Sequence, residues 1–289
     1  MPSVTRSAAP DPADLGTRDH ARFWREPGHG DLECLSATFV THRFPLHSHE
    51  TYVVGVMLAG CNAYQRRGAR HYAQPGDLCL LNPGEVHDGG AHGESFSYRM
   101  SYPSIALMSE LLADATGKER AAPPFFRDTL ARDAEAAALF RAAHERLEAR
   151  GDRLAADAYL VSAYGLLLLR HADACAPAGL GREAPSIARA RHYLDAHFAR
   201  EIELRKVAEV ARLSPFHFLR AFRRETGLTP HAYLMNRRVN AARQQLGRGD
   251  SPAEVALACG FFDQSHLSRV FKAHTGVTPG VYRGRRRLA

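Results

Sequence analysis

Five cysteines stand in 289 residues, at positions 34, 61, 79, 175 and 259, with no CxxC or other metal-ligand spacing among them. Such an odd, scattered set excludes a disulfide framework and a cysteine zinc site, and it fits a reducing cytoplasm. Cys79 and Cys259 lie in apolar contexts and read as core thiols. Long apolar runs are also missing. Leu166–Leu169 falls far short of the ~20 apolar residues that a membrane span needs, so no membrane partner is expected. Met1–Gly16 is rich in Ala, Pro and Asp and has no apolar core, so residues 1–20 read as a disordered lead-in rather than a secretory signal.

What the chain does have is unevenly distributed charge. The total is 38 Lys+Arg against 31 Asp+Glu, a net +7. Residues 185–289 hold 19 basic and 8 acidic side chains, a balance of +11, and residues 1–184 hold 19 and 23, a balance of −4. A basic domain attached to a mildly acidic one fits neutralisation of nucleic-acid phosphates. The length suffices for two domains with separate cores.

The basic part repeats itself. Residues 204–234 read LRKVAEVARLSPFHFLRAFRRETGLTPHAYL and residues 252–283 read PAEVALACGFFDQSHLSRVFKAHTGVTPGVYR. Val207-Ala208 recurs as Val255-Ala256. After a one-residue insertion Phe218 matches Leu267, Arg220 matches Arg269, Phe222 matches Phe271 and Tyr233 matches Tyr282. Each copy parses as helix-turn-helix. In the first, Val207, Val210 and Ala211 form an apolar face, the chain breaks at Arg212-Leu213, and Ser214-Pro215 opens a second helix. Phe218 and Phe222 share its buried face, while Arg220, Arg223 and Arg224 point outward. Gly227 ends it, and Thr229-Pro230 starts a long helix through Arg243 and Gln244. In the second copy Ser251-Pro252 with Glu254 opens a helix to Cys259, Gly260 turns, and a helix from Gln264 to His274 buries Leu267 and Phe271. That leaves Ser265, His266, Ser268, Arg269 and Lys272 exposed. Two such units point to a protein that reads DNA in two places.

The stretch GFFDQSHLSRVFKAHTGVTPGVYR, residues 260–283, resembles the signature of the AraC/XylS transcription regulators. The resemblance covers about residues 185–285. It implies two helix-turn-helix units joined by a rigid helix, Pro230 to Gln245, whose recognition helices enter major-groove segments one turn of duplex apart, roughly 34 Å. It places base-reading positions at Phe216, Leu219 and Arg220 in the first unit and at Ser265, His266, Ser268 and Arg269 in the second. Arg220 and Arg269 suit guanine, whose O6 and N7 match a guanidinium fork. Phe216 and Leu219 are apolar where the family often carries a hydrogen-bonding side chain, which suggests contact with thymine methyls. Their alternative is core packing for Phe216, and for Arg269 a phosphate contact without sequence information.

The front half shows short apolar runs separated by turn signals. Thr51–Leu58 reads as a strand, Ala59-Gly60 as a turn, and the segments 63–65 and 70–73 as a hairpin around Arg66-Arg67-Gly68. Leu78–Leu81 and Ser95–Ser101 are further strands. This spacing suggests a small antiparallel β-barrel. The fragments FPLHSHE (44–50) and PGDLCLLNPGEVH (75–87) resemble the cupin-type effector-binding domain often found ahead of this DNA-binding domain. In metal cupins an H-x-H pair, a glutamate and a later histidine hold the ion. His47, His49 and His87 occupy three of those places, but the glutamate is missing, since Glu50 would point to the other face. The expectation is therefore a polar pocket without metal or cofactor, with His47, His49, Tyr52, His87 and Tyr98 as candidate effector contacts.

Residues 105–115, 128–150 and 153–171 read as helices that pack on the barrel or form a dimer seam, and 173–184 as a linker. The fold class expected is α+β: a cupin-like barrel plus helices at 21–172 for effector binding and dimerisation, then an all-α double helix-turn-helix domain at 185–289. The function expected is a cytoplasmic transcription regulator, an activator in type. It would bind promoter DNA as a homodimer, respond to a small molecule and engage RNA polymerase, with no catalytic residues. The alternatives are a metal-dependent cupin enzyme with an autoregulatory DNA-binding domain and a ligand-independent architectural DNA binder.

Overall fold

A computed structural model describes residues 18–149, 153–173, 184–213 and 215–284. The front half contains β1 (His20–Glu26), β2 (Leu32–Phe39), β3 (Arg43–His47), β4 (Val53–Arg66), β5 (Ala69–Ala73), β6 (Asp77–Leu81) and β7 (His87–Tyr102). α1 (Ile105–Thr116), β8 (Phe125–Phe126), β9 (Leu130–Arg132), α2 (Ala134–Ala149), α3 (Arg153–His171) and β10 (Ala172–Asp173) follow. The basic half is helical: α4 (Pro185–His197), α5 (Leu204–Ala211), α6 (Pro215–Thr226), α7 (Pro230–Arg248), α8 (Pro252–Ala258), α9 (Gln264–Thr275) and α10 (Pro279–Arg283).

The main sheet runs β1-β2-β7-β4-β6-β9, with β3 also on β7 and β5 on β4, and the pairs are antiparallel. It is the cupin-like antiparallel fold expected, in the form of an open jelly roll whose path ends on β1 and β9. Period-two alternation divides its residues between two cores. Tyr52, Val54, Val56, Leu78 and Leu80 pack outward under α1, α2 and α3. Val53, Met57, Cys79, Leu81, Phe96 and Tyr98 face inward.

Two expected boundaries moved. The turn expected at Ala59-Gly60 is a bulge inside continuous β4. Gly60 has φ +65, and a Cβ there would lie 2.0 Å from the Ser95 carbonyl oxygen, so glycine lets β4 and β7 stay paired. The helix expected from 128 starts only at Ala134, because Asp133 Oδ1 accepts the Ala136 N–H at 3.0 Å and caps it. Leu130–Arg132 instead adds a strand to β6, with Arg132 paired to Asp77. The hairpin at Arg67-Gly68 is as expected, with positive φ at both residues (50 and 81). The expected lead-in falls mostly outside the described residues, as does most of the linker; His20 already opens β1.

Both helix-turn-helix units form. Phe218 and Phe222 are fully buried with ring centroids 5.3 Å apart, and Leu267 and Phe271 are fully buried in the second copy. Arg212 takes the left-handed cap of α5 (φ 59), which is the expected break. Ser251 and Glu254 close a capping box on α8. Thr229 caps α7, which runs one turn past its expected end. Ser214 lies outside the described residues.

The first unit has its own core, built from Ile187, Leu194, Val207, Phe218 and Phe222. The second does not. Its residues Val255, Leu267, Phe271 and Tyr282 are continuous with the inner core of the sheet. Gly276, at the end of α9, sits so close to the sheet that a Cβ there would lie 3.0 Å from the Phe39 ring.

Candidate functional site

The recognition helices present their polar faces outward. On α6, Leu219 is 38% exposed, and Arg220 and Arg223 are exposed. The Phe216 side chain lies outside the described residues. On α9, Ser265 and Arg269 are exposed, whereas His266, Ser268 and Lys272 are partly covered. Asp263 caps α9 by accepting the His266 N–H at 2.6 Å. The His266 Nδ1 in turn accepts the Phe262 N–H at 3.3 Å, which leaves only its other nitrogen for a partner. Phe262 is 87% exposed beside Ser265 and Arg269. The sequence does not single it out, because Phe261 and Phe262 lie in the turn between α8 and α9, where no helical period tells that the first ring is buried and the second is not.

The opposite end of α9 is buried. Its His274 lines a pocket inside the jelly roll, together with His47, His49, His87, Tyr98 and Tyr102. β3 carries His47 to its end, His49 follows in the loop, and β7 starts at His87, paired with His47. Ring centroids of His47 and His87 are 4.5 Å apart, and those of His49 and His87 5.3 Å. Of the five expected effector contacts, His47, His49, His87 and Tyr98 meet here. Tyr52 does not. It lies one residue out of phase, on the outer face of β4's sheet, where its hydroxyl donates to the Pro124 carbonyl at 2.6 Å.

Fixed donors and acceptors assign the imidazole protons. A carbonyl only accepts, so His47 Nδ1–H donates to Pro45 O at 2.7 Å and His87 Nδ1–H to Glu85 O at 2.9 Å. A guanidinium only donates, so Arg243 Nη1 donates to His49 Nδ1 at 3.2 Å. His49 Nε2–H then donates to His47 Nε2 at 3.1 Å. Burial, with the neighbouring imidazoles and Arg243 adding to it, holds His47 and His49 well below the ordinary histidine range. Burial also lowers His87, against the pull of Glu85. Burial thus favours the neutral form of all three, and their ligand nitrogens lie within 4.8 Å of one another.

A polar cluster beside the cavity ties the two halves together. Glu33 on β2 accepts from Arg243 on α7, from the Tyr282 hydroxyl on α10 and from Arg25 on β1 at 3.2 Å. Arg25 also donates to the Tyr282 carbonyl at 2.9 Å, and its guanidinium lies 4.3 Å from that ring. Tyr282 stacks on Phe23 with centroids 4.6 Å apart. Desolvation opposes charge on Glu33, but Arg243, Arg25 and the Tyr282 hydroxyl outweigh it and hold the carboxyl below its usual range. Asn236 and Ser48 exchange two further hydrogen bonds between the halves. None of these contacts has a local sequence signal, because partners such as Glu33 and Arg243 are far apart in the chain.

No described helix is long and apolar enough to cross a membrane. Residues 29–163 match the family described as AraC-like ligand binding domain, and residues 207–285 match the helix-turn-helix domain. The uncharacterized HTH-type transcriptional regulator YbfI of Bacillus subtilis (strain 168) is 26% identical over 240 residues, 83% of this chain and 86% of that protein. The HTH-type transcriptional activator RhaS of Enterobacter sp. (strain 638) is 40% identical over 77 residues, but these are 26% of this chain and only 28% of RhaS. An apo form of ToxT from Vibrio cholerae strain SCE256 shares the fold, with a TM-score of 0.52 over 92% of this chain and 96% of that one at 10% identity. The chain thus folds as a jelly roll followed by two helix-turn-helix units and is an AraC-type transcription regulator, with an AraC-like ligand-binding domain ahead of its helix-turn-helix domain.

Proposed function

We propose that the protein is a cytoplasmic, non-enzymatic regulator that binds promoter DNA as a homodimer, activates transcription through contact with RNA polymerase, and responds to a small molecule held in the jelly roll. The observation that carries this reading is the placement of α9. Its N-terminal half offers Ser265 and Arg269 to solvent, and its C-terminal end puts His274 in the cavity wall. A molecule in that cavity therefore touches the helix that reads DNA.

In this reading Arg220 and Arg269 take guanines, Leu219 and Phe216 thymine methyls, and Ser265, His266 and Ser268 neighbouring base edges. Arg223 and Lys272 neutralise phosphates. His47, His49, His87 and Tyr98 contact the effector. Dimerisation uses α3, where Val161, Gly165 and Leu169 fall at four-residue spacing. Val161 and Leu169 are 40% and 56% exposed, while Leu167 and Leu168 are buried against the sheet side.

Arg269→Ala tests the DNA assignment. Its specific-site affinity drops by about 1–3 kcal/mol and discrimination at one base position is lost, measured by fluorescence anisotropy on duplexes varied one position at a time. A loss of equal size on every duplex means that Arg269 touches phosphate alone.

A further inference from the structure

We infer that His47, His49 and His87 form a site for a divalent transition metal, and that its occupancy is linked through His49 to the docking of the DNA-binding domain. The inference rests on the cavity being a binding site, and not on which bases the protein reads.

Three imidazoles from two segments converge with their ligand nitrogens within 4.8 Å of one another. For His47 and His87 the tautomer is already that of a metal ligand. Backbone carbonyls of Pro45 and Glu85 accept the Nδ1–H groups, so both Nε2 lone pairs are fixed on the other side of the ring. A fourth imidazole, His274, lines the same cavity from α9, and its Nδ1 has no hydrogen-bond partner among the described residues. Three nitrogen donors suit zinc, nickel, copper or iron(II) and leave positions open for a further ligand.

His49 differs from the other two. Arg243 donates to its Nδ1, which forces the proton onto Nε2, and that proton is shared with His47. The result is a one-way relay from Arg243 through His49 and His47 to the Pro45 carbonyl. An ion on the three Nε2 atoms requires the other tautomer of His49, with its proton moved from Nε2 to Nδ1 and no net proton released. The new Nδ1–H then faces the Arg243 guanidinium, donor against donor, and the ion adds a second positive charge beside it. The relay and the metal site are therefore alternative states of the same side chains. Arg243 lies on α7, the helix joining the two helix-turn-helix units, and also holds Glu33 and Tyr282. Filling the site loosens α7 and α10 from the sheet, and by reciprocity loosening them favours the ion.

The test uses the full chain, stripped with chelator and titrated with cobalt(II), whose visible absorption reports nitrogen coordination. The expected result is binding of one ion per chain that is lost in His49→Ala and in His87→Gln, with faster hydrogen exchange across α7 and α10 on loading. Glu33→Leu with Arg243→Met removes the competing donor together with its carboxylate, leaves Arg25 on the Tyr282 carbonyl, and tightens cobalt(II) by roughly tenfold, within the usual range of coupling between sites. Failure to bind cobalt(II), or binding indifferent to both histidine variants, overturns the site. Binding at the three histidines with unchanged exchange and unchanged affinity in the double variant overturns the link. DNA binding of the stripped protein, measured on the same preparation, reports separately on the proposed function.

Discussion

Phe271→Asp unfolds the second helix-turn-helix unit and abolishes DNA binding. The ring is fully buried, with its centroid 5.0 Å from that of Tyr282, in the cluster that also holds Leu246, Val255 and Leu267. Removing a phenylalanine ring from a packed core costs about 3–5 kcal/mol by itself. Burying the new carboxylate among these apolar side chains costs several kcal/mol more unless it takes up a proton. Together these exceed what a unit of this size can lose, since whole domains are stable by only about 5–15 kcal/mol. Because Phe271 supports Tyr282, which stacks on Phe23, the variant also releases the docking on β1. Helical circular dichroism and duplex binding check it together. Phe271→Leu keeps both, whereas a folded, DNA-binding Phe271→Asp contradicts the assignment of this face to the core.

Glu33→Ala destabilises the protein by about 3–5 kcal/mol, the usual cost of removing one member of a buried ion pair. Arg243 and Arg25 are then left with side chains only 13% and 19% exposed and with no carboxylate between them. Glu33→Leu with Arg243→Met removes both charges of that pair and recovers part of the loss, because an apolar pair of similar volume needs no compensation, while Arg25 keeps only the Tyr282 carbonyl. Denaturant unfolding of the single and double variants measures the coupling. Additive losses mean that the two side chains do not act as a pair. The contribution also has a defined pH dependence. Since the folded carboxyl titrates below its ordinary value, the stabilisation is complete above that ordinary value and is lost as pH falls through the depressed one.

The parts legible in the sequence were those fixed by local rules. Duplicated apolar periodicity located both helix-turn-helix units, and cap chemistry set the starts of α7 at Thr229 and of α8 at Ser251. The H-x-H pair with His87 located the cavity. Where local rules allow two outcomes, the sequence could not choose. A glycine between apolar runs is a turn or a bulge, and at Gly60 the pairing of β4 with β7 makes it a bulge. Leu130 and Ala131 fit either period, and the open edge of β6 makes them a strand. Tyr52 missed the cavity by a single step of strand phase, and Val53 faces it instead. The docking of the second unit left no trace in the sequence pattern, because Glu33, Arg243 and Tyr282 meet only in three dimensions.

The central claim is that two units of one chain read two segments of DNA. The most direct test is selection of bound duplexes from a random library by the full-length protein, followed by sequencing, for the wild type, Arg220→Ala and Arg269→Ala. The account predicts two conserved blocks with centres one helical turn apart, about 10–10.5 base pairs, one degraded by Arg220→Ala and the other by Arg269→Ala. Selection of no preferred sequence, or of a single block indifferent to both substitutions, would contradict it.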